Sequence, residues 1–146
     1  MVSSDVTQTP VQKLQAGCVI PAHPLALTAD LKIDTRFQRA LTRYYLDAGA
    51  GGLAVGVHTT QFAIHDPQVG LYKPVLELAA ETAKTHGGLR QEAPILIAGL
   101  VGSTAQAVRE AEVARELGYH IGLLSLTALA GQSNRALVDH ARQVSE

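Results

Sequence analysis

Apolar positions along the chain fall into two recurring patterns. Short, nearly unbroken apolar runs occur at "CVIPA" (18–22), "LAVGV" (53–57), "ILIAG" (95–99) and "IGLLSL" (121–126). Runs of this length and continuity predict strands covered on both faces. Between them, apolar residues recur at helical spacing. Phe37, Ala40, Leu41, Tyr44, Tyr45 and Ala48 predict a helix, with Asp34 as its N-cap and Gly49 as its stop. A second runs from about Tyr72 to Thr85, with Leu71, Val75, Leu78 and Ala79 on one face and Pro74 confined to the first turn. A third opens with Ser103 and Gln106 at capping-box spacing and closes at Gly118. A fourth starts near Ser133 and carries Leu137, Val138, Ala141 and Val144.

The order is therefore βαβαβαβα, which implies parallel strands joined by right-handed crossovers. "DAGAGGLAV" and "ELGYHIGLL" repeat one device: a helix end, a glycine turn and a strand. Periodicity admits two α/β architectures. One is a small open doubly wound sheet. The other is the first half of a (β/α)8 TIM barrel, which in full needs about 250 residues. Residues 1–16, "MVSSDVTQTPVQKLQA", read as a polar N-terminal arm, and residues 17–146 as the folded unit.

Composition narrows the partners. The chain has 146 residues, a net charge of −1 and 47% hydrophobic residues, enough for one domain with a sizeable core. Twelve Lys and Arg stand against 13 Asp and Glu with no basic run, which argues against a nucleic-acid surface or an anionic membrane. No apolar stretch approaches the ~18 residues of a membrane span. The arm lacks the apolar core of a signal peptide. A soluble, cytoplasmic protein is expected. The single cysteine, Cys18, sits in an apolar run and is expected to be buried and reduced.

In both architectures, function gathers where strands end and helices begin. Thr59 and Thr60 lie at such an end, just past the second apolar run. Two hydroxyls and successive backbone N–H groups can hold a carboxylate or phosphate without a formal positive charge. The same pair also suits a plain turn or helix cap. "AGLVGST" lacks the Rossmann and Walker spacings and a following lysine, so its glycines read as easing a turn. His23, His58 and His65 fall in loops on one predicted face. No two of them have metal-ligand spacing and only Asp66 lies beside them, so no metal is expected. His86, His120 and His140 read as solvated. There is no G-x-S-x-G elbow. Lys13, Lys32, Lys73 and Lys84 all fall outside the predicted strands, where a desolvated Schiff-base amine would sit.

Four stretches carry a resemblance: "GCVIPAHPL", "YLDAGAGGLAVGVHTTQFA", "APILIAGLVGSTAQAVREAEVARELGYHIGLLSLTAL" and "SNRALVDHARQVSE". In this order they resemble the N-terminal half of the dihydrodipicolinate synthase/N-acetylneuraminate lyase family of (β/α)8 barrels. His23-Pro24 stands where the family closes its first strand with Thr-Pro. "HTTQF" resembles the family's Gly-Thr-Thr-Gly-Glu loop, with His58 for the first glycine and Gln61-Phe62 for Gly-Glu. Thr127-Ala128-Leu129 stands where the family often has Pro-Tyr-Tyr.

The resemblance implies a class I aldolase or lyase that forms a Schiff base with pyruvate or another 2-oxo acid. Thr59 and Thr60 would bind the carboxylate beside His58, and Thr60 would take part in catalysis. No cofactor is implied. The family's lysine lies on its sixth strand, so this chain is expected to be an N-terminal half, inactive alone. Its open sheet edges are expected to make it a homo-oligomer or to bind a missing C-terminal half. The alternative is a non-catalytic carboxylate-binding or self-assembling half-barrel module.

Overall fold

Three strands, Gly52–Val55 (β1), Ile95–Leu100 (β2) and Ile121–Leu124 (β3), form one parallel sheet in the order β1-β2-β3. The computed structural model describes residues 8–87 and 93–146. Five helices accompany the strands: Pro10–Ala16 (α1), Thr35–Asp47 (α2), Tyr72–Gly87 (α3), Thr104–Glu116 (α4) and Asn134–Ser145 (α5). Strands that neighbour one another in sequence order suit a barrel segment. A doubly wound sheet would place its first strand centrally.

One predicted strand is absent. Residues 18–22 make only a single parallel bridge, Ala22 to Ala54. The Ala54 N–H donates to the Pro21 carbonyl at 3.0 Å, and the His23 N–H donates to the Ala54 carbonyl at 2.8 Å. The next bridge down the ladder would need a donor at Pro21, which has none. The segment therefore flanks β1 as a fourth, irregular strand position. Through Ala54↔Ile97 and Ile97↔Ile121 the bridge extends into one row across the sheet.

Alternation then decides which face meets the helices. Leu53 and Val55 of β1, Leu96, Ala98 and Leu100 of β2 and Leu124 of β3 share one apolar cluster with Leu46 of α2, Val75, Leu76 and Ala79 of α3, and Ala114 of α4. Each fully buried aliphatic side chain there stabilises the fold by about 1.5–3 kcal/mol. The row Ala22–Ala54–Ile97–Ile121 lies on the opposite face, the inner wall of a barrel. Leu123, on that same face, is 56% exposed.

The helix ends follow the predicted caps. The Asp34 carboxylate caps α2 by accepting from the Phe37 N–H at 3.0 Å, and Pro74 falls in the first turn of α3. Ser103 caps α4, but Gln106 does not complete the box, because its side chain turns to other partners described below. The N-terminal arm differs from the reading as a plain polar extension. Its residues 10–16 form α1, started by a reciprocal Thr9–Gln12 capping box, and Lys13 Nζ donates to the Ala93 carbonyl at 3.1 Å. The helix buries no residue, so hydrophobic periodicity could not reveal it. Cys18 is half-buried rather than buried. No described helix is long and apolar enough to cross a membrane.

Candidate functional site at the strand ends

Beyond β1 the chain makes two short 3-10 turns, His58–Thr60 and Phe62–His65. Gln61 joins them at φ +80°, ψ 115°, a conformation that favours glycine. By the resemblance, Gln61 occupies a glycine position.

The structure separates the two threonines. Thr60 is fully buried. Its hydroxyl donates to the His23 carbonyl at 2.6 Å and accepts from the Gly56 N–H at 3.1 Å. Its own N–H donates to the Val57 carbonyl at 2.9 Å. Thr60 therefore ties the irregular first segment to the end of β1. Thr59 is exposed, and its hydroxyl has no hydrogen-bond partner among the described residues. His58 is exposed too, with its ring edge-on to Phe62 at 5.9 Å between centroids.

The loop histidines are not brought together. His23 is buried among α2 side chains, with Nε2 2.9 Å from Thr42 Oγ1 and Nδ1 2.8 Å from Gln38 Nε2. Gln38 is held by the Ala26 N–H, which donates to its Oε1 at 2.7 Å, and its Nε2 also donates to the Pro24 carbonyl. Burial holds the His23 imidazole below its usual 6.5, against an opposing hydrogen bond to the Pro24 carbonyl. His65 is buried against α4. His140, expected to be solvated, is also buried, with Nδ1 2.8 Å from Thr104 Oγ1.

A polar network anchors the loop from behind. His65 Nε2 lies 2.7 Å from the Gly56 carbonyl, and its Nδ1 lies 3.0 Å from Glu110 Oε1. Glu110 Oε2 accepts from the Val101 N–H at 2.9 Å. Gln106 Nε2 donates to both Glu110 Oε1 and the His65 carbonyl. Beside them, Tyr72 donates to the Gly99 carbonyl at 2.9 Å. Burial, and after it the charge of Glu110, pushes the Tyr72 phenol well up, so it stays a donor. Sequence reading missed this set. Its one visible signal was Gln106 and Glu110, four apart on a predicted helix.

On the inner side of the loop lies an open cavity of about 270 Å³. Val57, Phe62, Val101 and Leu123 give it apolar walls, with His58 and Ser125 as its polar side chains; Leu124, whose side chain packs toward the helices, also borders it. Gly56 and Gly99 form side-chain-free lining between β1 and β2. A Cβ on Gly99 would strike the Gly56 carbonyl, so the Gly56–Val57 peptide can cross β2 only over glycine.

No protein-family model and no curated protein sequence matches the chain. Solved structures do. A dihydrodipicolinate synthase from Aquifex aeolicus aligns with a TM-score of 0.71 at 22% identity, over 88% of this chain and 41% of that one. An N-acetylneuraminate lyase from Fusobacterium nucleatum aligns at 0.70 and 21%, over 87% and 41%. This chain has the fold of the dihydrodipicolinate synthases and N-acetylneuraminate lyases. YagE, a prophage protein of the dihydrodipicolinic acid synthase family from E. coli K12, was solved in complex with pyruvate; it aligns at 0.68 and 20%, over 88% and 40%. The chain spans about two fifths of the length of these structures, the extent of a half-barrel. Three parallel strands and five helices are thus part of a TIM-barrel architecture.

Proposed function

We propose that the strand-end face of this chain binds the carboxylate of a small 2-oxo acid such as pyruvate, as one half of a class I aldolase-type lyase site. The observation that carries this reading is Thr59: an exposed hydroxyl, without a hydrogen-bond partner among the described residues, on the turn that follows β1. Thr60 holds that turn in place from beneath through its buried hydroxyl. His58, exposed beside Thr59, would face the same ligand. A carboxylate there would gain charge-assisted hydrogen bonds of about 1.5–3 kcal/mol each, less where water competes.

The lysine that forms the imine would come from elsewhere in the barrel. Lys13 lies on α1, Lys73 and Lys84 lie on α3, and Lys32 lies in the loop before α2. None is on a strand. Calorimetry of the 146-residue chain with pyruvate tests the binding part. Millimolar affinity, lost in Thr59→Val, is expected; equal binding by that variant contradicts the carboxylate role. Borohydride with pyruvate tests the catalytic part: the mass of the chain should stay unchanged, and an adduct on any lysine would overturn it.

A second reading, a self-assembling half-barrel, rests on β3. Among the described residues its only strand partner is β2, and Leu123 beside the free edge is more than half exposed. Such edges associate. Sedimentation should show association at high concentration; a monodisperse monomer argues against this reading.

A further inference from the structure

We propose that the cavity beside the threonine turn receives the aliphatic chain of the 2-oxo acid, so that the site favours short aliphatic 2-oxo acids over pyruvate itself and over doubly charged ones. This rests on the carboxylate reading above and adds the identity of the chain behind that carboxylate.

Three observations carry it. First, position: the cavity is lined by His58 and Phe62, the residues on either side of Thr59-Thr60-Gln61. Thr59 itself does not line the cavity; a carboxylate held on Thr59 would lie at its edge, past His58, with the ligand's chain turned inward. Second, chemistry: Val57, Phe62, Val101, Leu123 and Leu124 line it, and no lysine, arginine, aspartate or glutamate does. A second carboxylate on the ligand would find no cation, and a polyhydroxylated chain would find few donors. Ser125 is already engaged, its hydroxyl 3.0 Å from Thr127 Oγ1. Third, size: about 270 Å³ lies just under the range of pockets that take drug-sized ligands, and suits a chain of a few carbons. Gly56 and Gly99 contribute to that room by carrying no side chain.

Apolar walls favour each added methylene that leaves water. Full burial of one gives roughly fourfold in affinity, and an open cavity gives less, about twofold.

The test is a homologous series bound to the 146-residue chain, read by calorimetry or by ligand-observed NMR. Pyruvate, 2-oxobutyrate and 2-oxopentanoate should tighten stepwise by about two- to fourfold per methylene. 2-Oxoglutarate should bind no more tightly than pyruvate. Leu123→Asn, at a position the fold leaves largely exposed, should bring the 2-oxopentanoate-to-pyruvate ratio toward one. A flat or reversed series that still depends on Thr59, or a ratio that Leu123→Asn leaves untouched, overturns the aliphatic selectivity and spares the carboxylate site. Binding of the series that Thr59→Val does not weaken, or no binding by any member, overturns both.

Discussion

His65 Nδ1 and Glu110 Oε1 lie 3.0 Å apart, with both side chains buried. The pair joins the loop after β1 to α4, and through the Gly56 carbonyl and the Val101 N–H it also reaches the ends of β1 and β2. A buried carboxylate in such a place needs every one of its partners. Its removal leaves His65 Nδ1 and the Val101 N–H without their partner and takes from Gln106 Nε2 one of its two acceptors. Glu110→Ala should therefore destabilise the chain by about 1–3 kcal/mol, the cost of buried donors left unpaired, seen as a lowered urea midpoint. A loss below about 1 kcal/mol would mean the network does not hold the loop.

The two threonines should part company under the same substitution. Thr60→Val removes the donor to the His23 carbonyl and orphans the Gly56 N–H, and should cost about 1–3 kcal/mol of stability. Thr59→Val, at an exposed position, should stay within about 0.5 kcal/mol. Denaturant melts of the two variants check this directly, and equal losses would contradict the division of roles.

Gln61 carries backbone strain at the loop. At φ +80° it occupies a region that costs a non-glycine residue about 1–3 kcal/mol, partly offset in any glycine variant by the greater freedom of the unfolded chain. Gln61→Gly should raise thermal stability by a net of about 1 kcal/mol. Gly99→Ala should do the reverse, because the new methyl meets the Gly56 carbonyl. Calorimetric melting of both variants would settle the signs.

His23 makes stability depend on pH. Its folded pKa lies below the unfolded value of 6.5, so below that pH the unfolded chain binds a proton that the folded chain refuses. Stability is then fully present above pH 6.5 and declines as pH falls toward the folded pKa, by at most about 1.4 kcal/mol per pH unit from this group. In His23→Thr the decline between pH 7.5 and 5 should be shallower. An unchanged slope would exclude His23 as a source.

Much of this fold is legible in the sequence. Continuous apolar runs marked β1, β2 and β3; β1 and β2 are covered on both faces, while β3 carries the same apolar pattern with Leu123 left more than half exposed. Asp34, Ser103, Ser133 and the glycine stops marked helix ends because caps use side chains of fixed type. Pro21 defeated the reading of the first strand: its neighbours are apolar, but the ladder needs the donor it lacks. α1 escaped because it is short and buries nothing. At the site, the sequence pointed to Thr59 and Thr60 together, and only the fold could separate them, since the partner of Thr60 is the His23 carbonyl, 37 residues away. His65 and Glu110, 45 residues apart, were invisible for the same reason.

Under the proposed function, a carboxylate meets this chain at the turn after β1. Amide-resolved NMR titration with pyruvate, run on the chain and on Thr59→Val, tests it most directly. Shifts concentrated at residues 56–62, and nearly lost in the variant, are expected. Shifts centred elsewhere, or the same shifts in Thr59→Val, would contradict it.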